Sequence, residues 1–267
     1  MKISITGFGG SIGSELTRQL CVGHKIFGLD NNETAVCDLT EELQQKGHWV
    51  YGRVGDIRDM ETVRDVFSDF KPDAVIHAAA LKHVKPNENY PIEAIKTNVI
   101  GTYNVLQQAK NFNVKKFIFI SSDKATNPHS VMGQTKRLGE TMVRNAGYTA
   151  VRFGNVMGSR GSVLPLWESQ VKRGEPITIT DEKMERYFMT IPEACALVVE
   201  AMNQAIPGKT IVLDMGARIR VIDLANTLYP NHKKIIIGVR PGETLIEELM
   251  TEEEKKTAKI SDKFWIL

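Results

Sequence analysis

Six short β-branched runs alternate with longer amphipathic stretches through the first half of the chain, and no other feature narrows the fold as much. The runs are Lys2 to Thr6, Lys25 to Leu29, His48 to Gly52, Ala74 to Ala78, Lys116 to Ser121 and Thr149 to Phe153. Between them, helical periodicity predicts helices over Ser11 to Cys21, Asp59 to Phe70, Pro91 to Lys110 and Met132 to Ala146, with a fainter one from Thr34 to Gln45. Strands separated by helices of this length need right-handed crossovers, so the expected fold class is α/β, a doubly wound parallel sheet covered on both faces. A chain of 267 residues, 42% of them hydrophobic, is large enough to bury such a core.

After Phe153 the regularity loosens into a loop from Gly154 to Gly161. A helix from Val163 to Lys172 follows, then a strand near Ile177 to Thr180, a helix from Ile191 to Gln204, a strand from Thr210 to Asp214 and a mixed tail. Ligands of open α/β sheets bind beyond the carboxyl ends of the strands, where this loop begins. A dinucleotide-binding domain is expected over 1–155. A small C-terminal substrate-binding lobe is expected over 156–267, with some elements returning to the first domain.

Gly7, Gly10 and Gly13 follow the first strand and open the first helix. That context suits a pyrophosphate: glycines allow the turn and the close approach of backbone, and the helix start at Ser11 and Ile12 presents free N–H groups to an anion. Asp30 ends the second strand seventeen residues after Gly13, where a carboxylate accepts from ribose hydroxyls. Asp30 and Asn31 therefore favour NAD; NADP is not excluded, since Arg53 or another cation would hold a 2′-phosphate. Asp56 and Ile57 suit the adenine edge, and Ala78, Ala79 and Ala80 suit a chain passing close to the cofactor.

Asn98 lies in Lys96-Thr97-Asn98-Val99-Ile100-Gly101-Thr102, and Ser121-Ser122-Asp123-Lys124-Ala125-Thr126-Asn127-Pro128 is followed by Val131-Met132-Gly133-Gln134-Thr135-Lys136. With the glycine spacing, these motifs resemble the Rossmann-like extended short-chain dehydrogenases, and within them the UDP-N-acetylglucosamine 4,6-dehydratases of glycan biosynthesis. The likeness runs from the glycine loop to Arg240-Pro241-Gly242-Glu243. Short-chain dehydrogenases usually pair a Tyr with a Lys one helical turn later; here Met132 stands at the Tyr position and Lys136 at the Lys position. A thioether exchanges no proton, yet a subset of the resembled dehydratases also carries Met there.

The resemblance implies hydride removal from C4, loss of water across C5 and C6, and return of the hydride to C6. Asp123 is then the acid for the C6 hydroxyl and Lys124 the base at C5, roles that ask for a raised Asp123 pKa and a partly neutral Lys124. Lys136 is placed on the nicotinamide ribose. The acceptor of the C4 hydroxyl proton stays open among Asp123, Lys124 and a water held by Ser121 or Ser122. Lys82 and His83 are expected to meet the sugar or close over the cofactor. Asn155, Arg160, Ser162 and Val163 correspond to uridine diphosphate contacts, Arg186 and Arg240 to the phosphates, and Glu243 to the uridine ribose. The loop Gly158 to Trp167 resembles the members that also invert C5, whereas Tyr187 to Ala194 is closer to the retaining ones.

Composition removes other classes. Thirty-four Lys and Arg against 32 Asp and Glu leave a net charge of +2, which creates no field for nucleic acid. Cys21, Cys37 and Cys195 have no paired spacing, so neither disulfides nor a metal site is expected and a reducing cytoplasm fits. No apolar run suggests a leader or membrane insertion. The helix faces over Pro91 to Lys110 and Met132 to Ala146 suit a homo-oligomer. Alternative readings are an inactive relative, a nucleotide-sugar 4-epimerase or decarboxylase, which is expected to keep a tyrosine at 132, and a non-catalytic dinucleotide-binding protein.

Overall fold

The expected alternation is present in the computed structural model, which describes residues 1–267. The first half comprises β1 (Lys2–Thr6), α1 (Ser11–Leu20), β2 (Lys25–Asp30), α2 (Glu33–Gln45), β3 (Val50–Val54), α3 (Met60–Phe70) and β4 (Ala74–His77). Next come α4 (Val84–Asn89), α5 (Pro91–Ala94), a π-helical stretch (Ile95–Gly101) and α6 (Thr102–Asn111). The chain then enters β5 (Lys116–Ile120), a 3₁₀ turn (Asp123–Ala125), α7 (Val131–Asn145) and β6 (Thr149–Arg152). The later part holds β7 (Asn155–Met157), α8 (Val163–Lys172), β8 (Ile177–Ile179), β9 (Glu185–Arg186), β10 (Phe188–Thr190), α9 (Ile191–Asn203) and β11 (Thr210–Leu213). The tail adds β12 (Ile219–Arg220), α10 (Val221–Leu228), β13 (Lys234–Ile236), α11 (Glu252–Thr257), β14 (Lys259–Ser261) and β15 (Phe264–Ile266).

Two local expectations shift. The third strand begins two residues later than its patterning suggests, because the ladder with β2 sets Val50 to Val54 opposite Ile26 to Asp30. α4 was not foreseen; its Pro86 falls in the first turn, where a missing N–H costs no intrahelical bond.

The main sheet runs β14-β15-β11-β6-β5-β4-β1-β2-β3. From β11 to β3 every pairing is parallel, and β15 and β14 close the far edge antiparallel. The strand order reverses between β1 and β4, which opens a crevice at their carboxyl ends. Buried side chains cover both faces. Ile3, Ile5, Leu16, Val36, Leu39 and Val198 join α1, α2 and α9 to one face, and Val63, Val66, Val105, Phe117 and Val143 join α3, α6 and α7 to the other. A smaller cluster of Trp167, Ile177, Ile179, Met184, Val221 and Ala225 holds α8, β8 and α10 together beside the sheet. No helix is long and apolar enough to cross a membrane.

Candidate active site

The glycine loop sits at the switch point. Gly7 has φ +70, and a Cβ there would lie 2.6 Å from the Ala79 nitrogen, so only glycine lets the loop press against the end of β4. A Cβ on Gly13 would collide with the Gly7 carbonyl, which ties α1 to the loop. Gly10 caps α1 in an extended conformation and meets only the Gly7 oxygen, at 3.0 Å; beyond it lies open cleft. That cleft, about 170 Å³, is lined by Gly7, Gly10, Asp30, Asn31, Asp56, Ile57, Ala78, Ala79 and Ala80.

Asp30 accepts from the Gly9 N–H at 2.9 Å and the Asn32 N–H at 2.9 Å, which fixes its carboxylate at the rim. Neither Lys nor Arg lines the cleft. Arg53 is paired with Asp65 at 3.2 Å and Asp69 at 3.9 Å and is not among the residues that line the cleft. Asn98, in the π-helical stretch, accepts from the Leu81 N–H at 2.8 Å and donates to the Leu81 carbonyl at 2.9 Å and to Thr135 Oγ1 at 3.0 Å. It clamps the loop after β4 to α7, a positional task with the side chain buried.

Beyond β5 the chain bends at once. Ser122 is extended and caps the 3₁₀ turn, so Asp123 and Lys124 do not diverge as strand neighbours would: Lys124 Nζ lies 3.2 Å from Asp123 Oδ1. Ser122 Oγ donates to the same Asp123 oxygen at 2.8 Å. Gly133, in the first turn of α7, permits this packing, since a Cβ there would strike the Lys124 carbonyl. Met132 is buried beside it, and Lys136, one turn on, donates to the Ile120 carbonyl at 2.8 Å. Burial pushes the Lys136 ammonium down to about 8, with the Glu140 charge opposing.

A third charged group joins this pair from far along the chain. Glu247 Oε2 accepts from Lys124 Nζ at 2.7 Å and lies 3.0 Å from Arg186 Nε. Burial drives the Glu247 carboxyl up to about 7; the charges of Lys124 and Arg186 resist this and that of Asp123 reinforces it. Burial would also raise Asp123, but Lys124 and hydrogen bonds from Glu247, Ser122 and Lys124 bring it below the ordinary range. Lys124 would be lowered by burial, yet the two carboxyl groups hold it above its usual value. The directions required of Asp123 and Lys124 by the sequence reading are therefore reversed, because a second carboxyl group absorbs the cost of crowding.

Lys124 and Glu247 form part of the wall of a cavity of about 420 Å³, within the usual size of ligand pockets. Lys82, His83, Asn155, Ser162, Val163, Arg186, Arg240 and Glu243 line the same cavity, so the structure brings together nearly every substrate residue expected from sequence. Lys82 Nζ donates to Ser159 Oγ at 3.1 Å; burial, then the charges of Arg160 and Lys124, lower its pKa. His83 is lowered by burial and by Lys82, which favours the neutral imidazole. Ser162 caps α8, and its Oγ is buried with no partner.

Two arginines are placed otherwise than expected. Arg160 lies on the glycine loop: its N–H donates to Ser11 Oγ at 3.0 Å and its guanidinium to the Gly9 carbonyl. Arg186 reaches the cavity, but it spends its donors on the carbonyls of Glu185 (2.7 Å), Leu245 (2.9 Å) and Thr244 (2.6 Å) and on Glu247. It anchors the segment that carries Glu247 rather than offering a free fork to phosphate. Glu247 escaped the sequence reading, although an acid inside Leu245-Ile246-Glu247-Glu248-Leu249-Met250 is a signal that it is buried and paired.

Comparison with known proteins gives the family and the fold. The family described as polysaccharide biosynthesis protein matches residues 3–267. The capsular polysaccharide biosynthesis protein CapD of Staphylococcus aureus is 42% identical over 98% of this chain and 47% of its own length. The chain thus spans about half the length of that relative. A UDP-glucose 4-epimerase of Rickettsia massiliae is 35% identical over 96% of the chain and 79% of its own length. A UDP-N-acetylglucosamine 4,6-dehydratase (inverting) of Campylobacter jejuni is 32% identical over 95% and 78%. The crystal structure of Pen from Bacillus thuringiensis superimposes with a TM-score of 0.93 at 37% identity, covering 99% of this chain and 87% of that one.

Proposed function

This chain belongs to the family of polysaccharide biosynthesis proteins, and from that premise we propose that it is a UDP-N-acetylglucosamine 4,6-dehydratase with NAD as a recycled cofactor. The observation that carries the reading is a cation between two carboxyl groups, Lys124 between Asp123 and Glu247, with Lys124 and Glu247 on the wall of a ligand-sized cavity and Asp123 buried behind them. Orphaned polar atoms support it. Ser162 Oγ and Glu243 Oε2 on the cavity wall, and Ser121 Oγ and Asp123 Oδ2 behind it, are buried without a protein partner and so have hydrogen-bonding capacity left for a ligand or water.

The cleft residues fit a dinucleotide: Gly10 leaves the pyrophosphate position clear and Asp30 stands at the ribose edge. A dinucleotide held there would supply a hydride acceptor for C4 and a hydride donor for C6. Lys124 removes the C5 proton, Arg240 and the start of α8 at Ser162 and Val163 hold the diphosphate, and Glu243 accepts from the uridine ribose. Met132 has no proton to exchange, so the base for the C4 hydroxyl is not at that position. Exposed Ile92, Ile95, Ile100, Tyr103 and Leu138 support pairing with a second copy.

Gly10→Val is expected to fold, since its Cβ meets only one oxygen, yet to retain no nicotinamide cofactor at concentrations that saturate the wild type. Equilibrium dialysis checks this, and unchanged retention sinks the loop assignment. Asp30→Ala is expected to narrow the preference for NAD over NADP, because the carboxylate repels a 2′-phosphate; titration of both cofactors against both proteins measures it. A wild type that binds NADP more tightly would remove Asp30 from that role.

Incubation with UDP-N-acetylglucosamine and catalytic NAD, followed by NMR of the product, tests the activity. A 4-keto-6-deoxy sugar is expected. The epimerase relative favours a second reading, C4 epimerisation, which would instead keep the C6 hydroxyl and leave the second carboxyl group of the array without a task. Inversion at C5 belongs to the proposal, since Lys82 and His83 share the cavity with Lys124 and supply a second donor. In deuterated water the earliest product should then show L-arabino couplings; a persisting D-xylo isomer alone excludes inversion.

A further inference from the structure

We propose that Arg160 is a positioning residue that ties retention of the dinucleotide to occupation of the nucleotide-sugar cavity. This rests on the dehydratase reading and deepens it. The resemblance puts Arg160 on the uridine diphosphate, yet Met157, Gly161 and Ser162 line the cavity and Arg160 between them does not. Its side chain turns to the glycine loop instead.

There it completes the fixing of the loop tip. The Gly9 N–H donates to Asp30 at 2.9 Å, the Gly10 N–H donates to the Gly7 carbonyl at 2.9 Å, and the Gly9 carbonyl accepts from the Arg160 guanidinium. The peptide plane between Gly9 and Gly10 is thus held on both edges, one of them by a residue 151 positions away. The Arg160 N–H also donates to Ser11 Oγ at 3.0 Å. With that lone pair engaged, the Ser11 hydroxyl proton is left to join the first N–H groups of α1 as a donor to an anion over Gly10.

The same segment is stitched to the cavity. Lys82 Nζ donates to Ser159 Oγ at 3.1 Å, and a Cβ on Gly161 would lie 2.5 Å from the His83 ring. Ser162, its buried Oγ unpartnered, then leads into α8 at the position assigned to the diphosphate. Residues 159–162 therefore touch the two sites by turns. Gly158 (φ +73) and Gly161 (φ +69) bracket Arg160 in the left-handed region, and a Cβ on Gly158 would meet nothing, so the segment is a strap with a free hinge at one end. A diphosphate seated at Ser162 and Val163 pins the other end and holds Arg160 on the glycine loop. Filling either site then favours filling the other, and the linkage is reciprocal. The reaction has a use for it. Hydride taken from C4 must return to C6, and loss of the reduced dinucleotide between the two steps would strand the sugar as a 4-keto-5,6-ene.

Titration of NADH by its fluorescence, with and without saturating UDP, reads the coupling. We expect UDP to tighten NADH binding about 5- to 150-fold in the wild type, the usual span of coupling between two sites. Arg160 is exposed, so Arg160→Ala should fold; it should bind NADH more weakly and lose the UDP effect, while binding UDP alone as the wild type does. Arg160→Lys, which keeps a donor for the Gly9 carbonyl, should recover most of the coupling. During turnover Arg160→Ala should shed NADH into solution, where lactate dehydrogenase with pyruvate traps it, and the wild type should shed none. Full UDP coupling in Arg160→Ala overturns the proposal. Weakened UDP binding by that variant without NADH makes Arg160 a diphosphate contact and overturns it too. A wild type in which UDP and NADH bind independently removes the strap and leaves the dehydratase reading standing. A wild type that binds no UDP overturns that reading, and this proposal with it.

Discussion

Lys124→Ala is expected to slow formation of the 4-keto-6-deoxy product by about 10²- to 10⁴-fold, with the fold and dinucleotide binding retained. The side chain is only 21% exposed and makes every polar contact inside the site, to Asp123, Asn155 and Glu247. None of these partners lines the dinucleotide cleft. Without the ammonium, Asp123 and Glu247 are left side by side, and two crowded carboxyl groups respond by keeping a proton rather than by unfolding. Asp123→Asn should cost a comparable factor, since Lys124 then loses the acceptor that lets it become neutral. Single-turnover assays with deuterium wash-in at C5 separate these variants: Lys124→Ala should block both exchange and water loss. Wild-type turnover in Lys124→Ala would take it out of the mechanism.

Arg152→Ala is expected to cost stability rather than chemistry, by about 3–5 kcal/mol, the typical penalty for stranding a buried charge. Arg152 ends β6 with its side chain fully buried. Its Nε and Nη2 donate to the two oxygens of Glu140 on α7 at 2.9 Å and 2.7 Å. Nη1 donates to Glu254 of α11 at 2.8 Å, to the Leu249 carbonyl at 2.9 Å and to Thr126 Oγ1 at 3.2 Å. One guanidinium thus joins the sheet, α7, the turn beyond Lys124 and the tail that carries Glu247. Alanine leaves Glu140, itself fully buried, without its bidentate partner.

Urea unfolding measures the loss, and a change under about 1 kcal/mol would show that the tail docks without this tie. The pH dependence has a definite sign. Burial alone would raise Glu254, but Arg152 overcomes it and brings the carboxyl from an ordinary 4.5 down to about 2. Its contribution is present above about 4.5 and lost as pH falls toward 2, so wild type and Arg152→Ala should converge in stability in acid.

The order of strands and helices was legible because each element carries its own local record. Lys2 to Thr6 alternates and Ser11 to Leu20 is amphipathic whatever lies elsewhere, and a parallel sheet is the packing that accepts such an order. The glycine loop was legible for the same reason: the positive φ of Gly7 and the contact of Gly13 are made within a few residues. Boundaries that depend on a neighbour were not, as the two-residue shift of β3 against β2 shows.

Asp123 and Lys124 stand out in the sequence as adjacent charges in a motif, and Lys82, His83, Asn155, Ser162, Val163, Arg240 and Glu243, expected at the substrate, line one cavity. What these groups do to one another was decided by tertiary structure alone. Lys124 meets Glu247 across 123 positions, and Arg152 meets Glu254 across 102. No spacing in the sequence encodes those pairs. Desolvation and charge act through space, so the arrival of Glu247 beside Lys124 changes the balance of charge at the site in a way no local motif announces. The chain's local patterns determined the scaffold and the kinds of group it carries; the fold decided which of them form ion pairs.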